Sequence, residues 1–207
     1  MQAVTVRFMV LANLVGIEWM PIEFAPLYND KLIQHWLDGE RLTCCDFQGG
    51  FEIDVDGKFW NDGCVDEFWM TMSWFYALEA FLNGETEREI SVWEESRLVL
   101  KRDGDALTMY EVRHLPDTCQ PVTVSFRELA AQMCSEGRVF AAWVRSLHDE
   151  VARRLPNSEV ETLQKAIRDR LPETTEEKLA KITFEVQMSF VEQIERVCAL
   201  LDAEFNA

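Results

Sequence analysis

The sequence predicts an α+β protein: an antiparallel sheet of about five to seven strands packed on a buried helix, followed by a C-terminal helical region. Over the first 125 residues, apolar and polar residues alternate between Asp-Gly and other Gly-containing turns, the pattern of half-buried strands. Residues 67–83 are apolar around nearly the whole helical circumference, as in a helix enclosed by its own fold. From Ser125 the apolar period becomes helical, and three Ser/Thr-x-x-Glu boxes mark helix starts. The division that follows is 1–125 for the sheet-bearing part and 126–207 for the helical part. The Trp143 stripe is placed either to cover the sheet, giving one domain, or to sit within a separate bundle.

Residues 2–10 alternate and are rich in Val, Thr and Phe, so they form an opening strand. A second strand is expected at 16–24, closed by Pro21 and Pro26. Asn29 or Asp30 caps a short helix through Leu37, with Leu32, Ile33, Trp36 and Leu37 on one face and Gly39 as its stop. Gly49-Gly50 reads as a turn before the next strand. Residues 51–60 then form a hairpin about Asp56-Gly57, a pair that tolerates the positive φ of a type I′ turn. Phe51, Ile53 and Val55 point to one face, and Glu52, Asp54 and Asp56 to the other.

Asp66 caps the buried helix, and Gly84 ends it. Residues 90–101 and 106–114 form a second hairpin about 102–105, and 122–124 make the last strand. Ser125 and Glu128 form a capping box for a helix that stops at Glu136-Gly137. A second helix then carries Val139, Phe140, Trp143, Val144, Leu147, Val151 and Leu155 on one stripe. Boxes at Ser158 and Thr174 open helices to Leu171 and Phe205. The last is about 30 residues and on the order of 45 Å long, with a continuous stripe from Leu179 to Leu201. That stripe fits an intrachain bundle or, where it outruns the domain, a homodimer through the helix at 174–205.

Composition narrows the function classes. The 207 residues hold 37 acids against 20 bases, a net charge of −17, and 48% of them are hydrophobic. So much apolar material excludes a disordered acidic tail. The acidity argues against direct nucleic-acid binding, which needs a basic face. The apolar stretch at 8–17 is interrupted by Asn13, followed by Glu18, and lacks the flanks of a signal peptide. A cytoplasmic protein without membrane span is therefore expected, with its six cysteines reduced.

No chemistry-bearing motif is present. His35, His114 and His148 fall in separate elements without paired spacing, and there is no CxxC, so neither a metal site nor any cofactor is expected. Counted from Asp54, Gly57 and Val65 occupy the fourth and twelfth positions, which does not make a calcium loop. Asp54 and Asp56 lie about 7 Å apart along a strand, but at a wet hairpin tip rather than in a pocket that raises a carboxyl pKa. Phosphate loops, dinucleotide fingerprints and nucleophile elbows are missing. The alternative to a non-enzymatic protein is a hydrolase-like site around Cys44, Cys45 or the hairpin carboxylates.

The charge distribution is more informative. Residues 1–100 carry 18 acids and 6 bases, and residues 101–207 carry 19 and 14. Between Asp46 and Glu67 seven acids face Lys58 alone; between Glu79 and Glu95 six acids face Arg88 alone. Aromatic residues interleave with both. An acidic surface with aromatic anchors suits a basic protein partner, since charge complementarity speeds encounter and buried rings supply affinity. The expected function is an acidic protein-binding module of the inhibitor or immunity type, masking a basic surface of a toxin, nuclease or other nucleic-acid enzyme. The candidate contact residues are Asp54, Asp56, Trp60, Asp62, Glu67, Trp93, Glu94 and Glu95. A self-associating structural protein is the third reading.

Overall fold

A computed structural model describes residues 1–12, 20–31, 33, 47–61, 68–93, 96–112, 121–154 and 175–206. The elements in chain order are β1 (Val4–Ala12), β2 (Met20–Pro21), a 3-10 helix (Ile22–Tyr28), β3 (Phe47–Val55), β4 (Lys58–Asn61), α1 (Phe68–Leu82), β5 (Glu87–Trp93), β6 (Ser96–Asp103), β7 (Ala106–Val112), β8 (Val122–Ser125), α2 (Phe126–Arg154) and α3 (Thr175–Phe205). The class is α+β. The strands are shared between two four-stranded antiparallel sheets, ordered β2-β1-β3-β4 and β5-β6-β7-β8. One parallel bridge, Gln2 to Val124, couples them.

The local signals act as their chemistry requires. At the β3–β4 turn Asp56 and Gly57 have φ of 53° and 71°, the left-handed pair of a type I′ hairpin. Gly84 (φ 91°) ends α1. Its N–H reaches the Phe81 carbonyl and that of Glu85 reaches the Ala80 carbonyl, at 3.2 and 3.0 Å, the two bonds of a Schellman cap. At the start of α2, Ser125 Oγ accepts the Glu128 N–H at 3.1 Å. A second cap comes from across the fold: Asp105, on the β6–β7 turn, accepts the Arg127 N–H and the Ser125 hydroxyl.

Several expectations are corrected. Within the described part of the segment 16–24, only Met20–Pro21 pairs as a strand, opposite β1; from Ile22 the chain turns into a 3-10 helix with Pro26 inside it. Proline's fixed φ and missing N–H suit such a short helix and end strand pairing. Gly49 and Gly50 form no turn: they lie within β3, opposite Val10 and Met9. Residues 90–101 are two antiparallel strands, β5 and β6, rather than one, so the hairpin about 102–105 is β6–β7. The capping box and helix at 158–171 and most of the short helix after Asn29 lie outside the described residues.

The largest correction concerns Glu136-Gly137. α2 runs through both without a break. Glycine in a helix interior costs about 1 kcal/mol relative to alanine, and here packing accounts for it. A Cβ at Gly137 would stand 2.6 Å from Phe75 Cζ and 3.0 Å from Ile194 Cγ2. Gly137 packs against Phe75 of α1 and Ile194 of α3.

One cluster of buried residues draws on both sheets and all three helices. Phe140 stacks on Phe8 at 4.8 Å, Phe8 meets Phe51 edge-on at 5.3 Å, and Phe51 meets Phe75 at 5.9 Å. A second series, Phe81–Phe126–Phe205, ties α1 to the start of α2 and the end of α3. The indole N–H of buried Trp143 is satisfied by Asn29 Oδ1 at 2.8 Å. In α3 the stripe from Val191 to Leu201 is buried against the chain's own core. The side chains at 175–189 lie outside the described set.

On the side away from β3, the edge of β1 is closed by side chains as well as by strands. Among the described residues β2 pairs only with Met9 and Val10, and β8 reaches only Gln2. Between them, the Val6 N–H donates to Gln132 Oε1 at 2.8 Å and the Phe8 N–H to Glu136 Oε2 at 2.9 Å. Gln132 Nε2 returns a bond to the Val4 carbonyl at 2.8 Å. Two side chains of α2 thus take the place of a strand.

Gly137→Ala should lower unfolding stability by about 1–3 kcal/mol, because overpacking at Phe75 outweighs the gain in helix propensity. Adding Phe75→Leu should recover part of that loss, as measured by urea denaturation of both variants. Gln132→Met keeps volume but orphans the Val6 N–H and the Val4 carbonyl, so it should cost about 1–3 kcal/mol or more. Hydrogen exchange should show the protection loss concentrated at the Val6 amide.

Candidate functional site

The candidate contact residues divide between the two sheets. Asp54, Asp56 and Trp60 share the β3–β4 hairpin, whereas Trp93 ends β5, paired with Ser96. The side chains of Trp60 and Trp93 lie outside the described set, as do Asp62, Glu67, Glu94 and Glu95 altogether. The hairpin alternates as the sequence requires: Phe51, Ile53 and Val55 are buried in the core, which turns Glu52 and Asp54 outward.

The acids do not all remain available. Asp56 holds the hairpin to the N-terminus: its carboxylate accepts the Ala3 N–H and the Gln2 side-chain amide, both at 3.0 Å. Gln2 also accepts the Thr123 N–H at 3.2 Å, so Asp56 belongs to the joint between the sheets. Its candidate role in partner contact is therefore secondary to a structural one. Glu52 pairs with Arg7 across the strands at 3.4 Å. Asp54, opposite Thr5 and Phe59, has no ion-pair partner among the described residues.

The described acids of the second segment, Glu79, Glu85, Glu87 and Glu89, are all in ion pairs. Lys101 pairs with Glu87, Arg97 with Glu89 and Arg88 with Glu85. Glu79, on the otherwise apolar α1, accepts Arg196 of α3 through both carboxylate oxygens and the Gln193 amide at 2.9 Å. The Arg196 guanidinium holds the Glu79 carboxyl below the usual carboxylate range, against the opposing effect of partial burial. Arg138–Asp202 and Arg145–Glu195 tie α2 to α3 in the same way. Sequence reading placed Glu79 in an acidic surface because its partner lies 117 positions away. Of the described acids in the 46–67 segment, Glu52 is in an ion pair and Asp54 is not.

A concave groove of about 310 Å³ lies beside Asp105, Phe126, Arg127, Glu204 and Phe205. Its arginines are occupied by the fold. Arg102 donates to the Gly104 and Phe81 carbonyls and lies 3.9 Å from the Phe126 ring centroid; Arg127 lies over Phe205 at 5.0 Å. The groove had no signal in the sequence, because its residues come from a turn and two helix ends. Of the hydrolase alternative, Cys44 and Cys45 lie outside the described residues, as do His35 and His114, while the hairpin carboxylates Asp54 and Asp56 stand on β3 and its turn. Among those described, no group of three His, Cys, Asp or Glu is placed to hold a metal ion, and no helix is long and apolar enough to cross a membrane.

Because the folded state depresses the Glu79 pKa, this contact contributes stability above the unfolded-state value and loses it as pH falls through the native one. Glu79→Gln should therefore be less stable than the parent at neutral pH, and the difference should close as pH falls below the ordinary carboxylate range and Glu79 protonates. Urea midpoints across that range check this. Comparison of the chain with protein-family models, with curated proteins and with solved structures returns no match.

Proposed function

We propose that this chain is an acidic protein-binding module of the inhibitor or immunity type, which masks a basic, nucleic-acid-facing surface of a toxin, nuclease or other nucleic-acid enzyme. The supporting observation is the unequal fate of the two acidic segments. Around Glu79–Glu89 the acids are taken up by intramolecular ion pairs. The segment 46–67 instead holds seven acids and one lysine, with Glu52 alone seen in an ion pair among its described residues. Uncompensated carboxylates beside aromatic residues favour a cationic partner, since steering acts through net field and desolvated rings anchor the contact. A basic protein is the partner class; Asp54, Asp62 and Glu67, with Trp60, carry the contact in this reading, and Trp93, Glu94 and Glu95 form its second lobe.

The test keeps Asp56, which the hairpin needs, and reverses the others: Asp54→Lys, Asp62→Lys and Glu67→Lys together. Immobilised parent protein should capture a basic nucleic-acid enzyme from lysate of the source cells, and duplex DNA should compete for it. The triple variant, shown by circular dichroism to be folded, should lose about tenfold or more in capture at low salt. Equal recovery of the same proteins by both chains, or capture indifferent to duplex DNA, would rule the proposal out.

A further inference from the structure

The interface between α2 and α3 contains two groups that neither the fold nor the acidic surface requires. Cys134 and Cys198 are 2% and 1% exposed and 64 positions apart in sequence, with Cys198 Sγ 3.8 Å from the Cys134 carbonyl oxygen. The Cys198 thiol donates to that carbonyl. The two helices run antiparallel here, as the contacts Arg127–Phe205, Arg138–Asp202 and Arg145–Glu195 show. Arg138 is one turn beyond Cys134, and Asp202 one turn beyond Cys198. Their 2.5 Å ion pair therefore crosses the thiol pair as a second diagonal. It lies on the solvent side, with side chains 47% and 58% exposed.

We propose that Cys134 and Cys198 form an oxidation-sensitive dithiol, a modification site that takes hydrogen peroxide as its oxidant and closes to a disulfide that staples α2 to α3. A single buried cysteine is ordinarily a small apolar filler; here the sulfur of one meets the backbone of the other across two packed helices, the neighbourhood from which a disulfide closes. The Cys134 side chain and the Arg138 charge push the Cys198 thiol down against the effect of burial, while the Cys198 side chain and burial push the Cys134 thiol up. The thiolate is the nucleophile, which makes Cys198 the attacking sulfur and Cys134 the resolving one.

The Cys198 thiolate attacks one peroxide oxygen, the O–O bond breaks, and the departing hydroxide takes a proton to leave as water. The resulting sulfenic acid is attacked by the Cys134 sulfur, the S–O bond breaks, and a second water leaves with the Cys134 proton. Two thiols are oxidised and one peroxide is reduced to two waters.

The experiment uses the whole folded chain treated with hydrogen peroxide, quenched by acid and thiol alkylation, digested with trypsin and read by mass spectrometry. Cleavage after Arg127, Arg138 and Arg196 isolates Cys134 on the peptide 128–138 and Cys198 on the peptide 197–207. The disulfide-linked pair of these two peptides should rise about tenfold or more over a reduced control and disappear on reduction. The oxidised chain should melt about 5 °C higher, since the bond closes a long loop. Cys134→Ser should remove the linked pair and leave Cys198 as the sulfenic acid. Arg138→Gln should slow linkage several-fold. The proposal fails if both cysteines stay alkylatable thiols at peroxide levels that oxidise the other four, or if each is oxidised singly or pairs elsewhere. An unchanged rate in Arg138→Gln overturns Cys198 as the attacking sulfur.

Discussion

The fold depends on how α2 seats against the unpaired edge of β1. Gln132 and Glu136 bond to the backbone at Val4, Val6 and Phe8, and Gly137, the next residue, lets α1 and α3 close on the opposite side. Buried backbone polar groups must be paired, so β1 can remain in the core between β2 and β8 only while α2 stays in this position. The helix in turn can approach that closely only without a Cβ at residue 137. Satisfying the strand edge and packing the three helices are thus one constraint, met by three polar or small residues within six positions.

The same seating organises the charge. With α1 and α3 held against α2, Arg196 reaches Glu79, Arg138 reaches Asp202 and Arg145 reaches Glu195. The helical layer consumes bases from the second half of the chain to neutralise acids, including one from the first half. The second sheet does likewise with cross-strand pairs on its outer face. The net −17 is therefore offset locally by these pairs in the helical layer and on the second sheet. The crossing of α2 and α3 that builds these ion pairs is also the crossing that brings two thiols together, beneath Arg138 and Asp202.

Much of the architecture was legible in the residues. The positive-φ turn at Asp56-Gly57, the helix end at Gly84 and the cap at Ser125 depend on atoms within four positions of one another, and each forms as expected. The buried character of α1 followed from its apolar circumference. Other features were misread because two physical causes leave the same local mark. Gly137 resembled a helix stop, yet it marks a close approach; Gly49-Gly50 resembled a turn, yet it lies in a ladder. Of the candidate site, the acidity and its concentration in two segments were visible, but not that Asp56 holds two sheets together or that Glu79 is bound to Arg196.

What the sequence determined by itself was therefore the kind and order of the elements: strands first, a buried helix among them, long helices last, with their local caps and turns. These are set by φ/ψ preference and by hydrogen bonds that close over a few residues. Tertiary structure decided which strands pair in which sheet, that α2 is continuous, which carboxylates remain uncompensated, and that Cys134 faces Cys198. The cross-fold contacts among these join side chains across separations of 45 to 128 positions, where no local preference acts and only the shared packing of the core brings the partners into range.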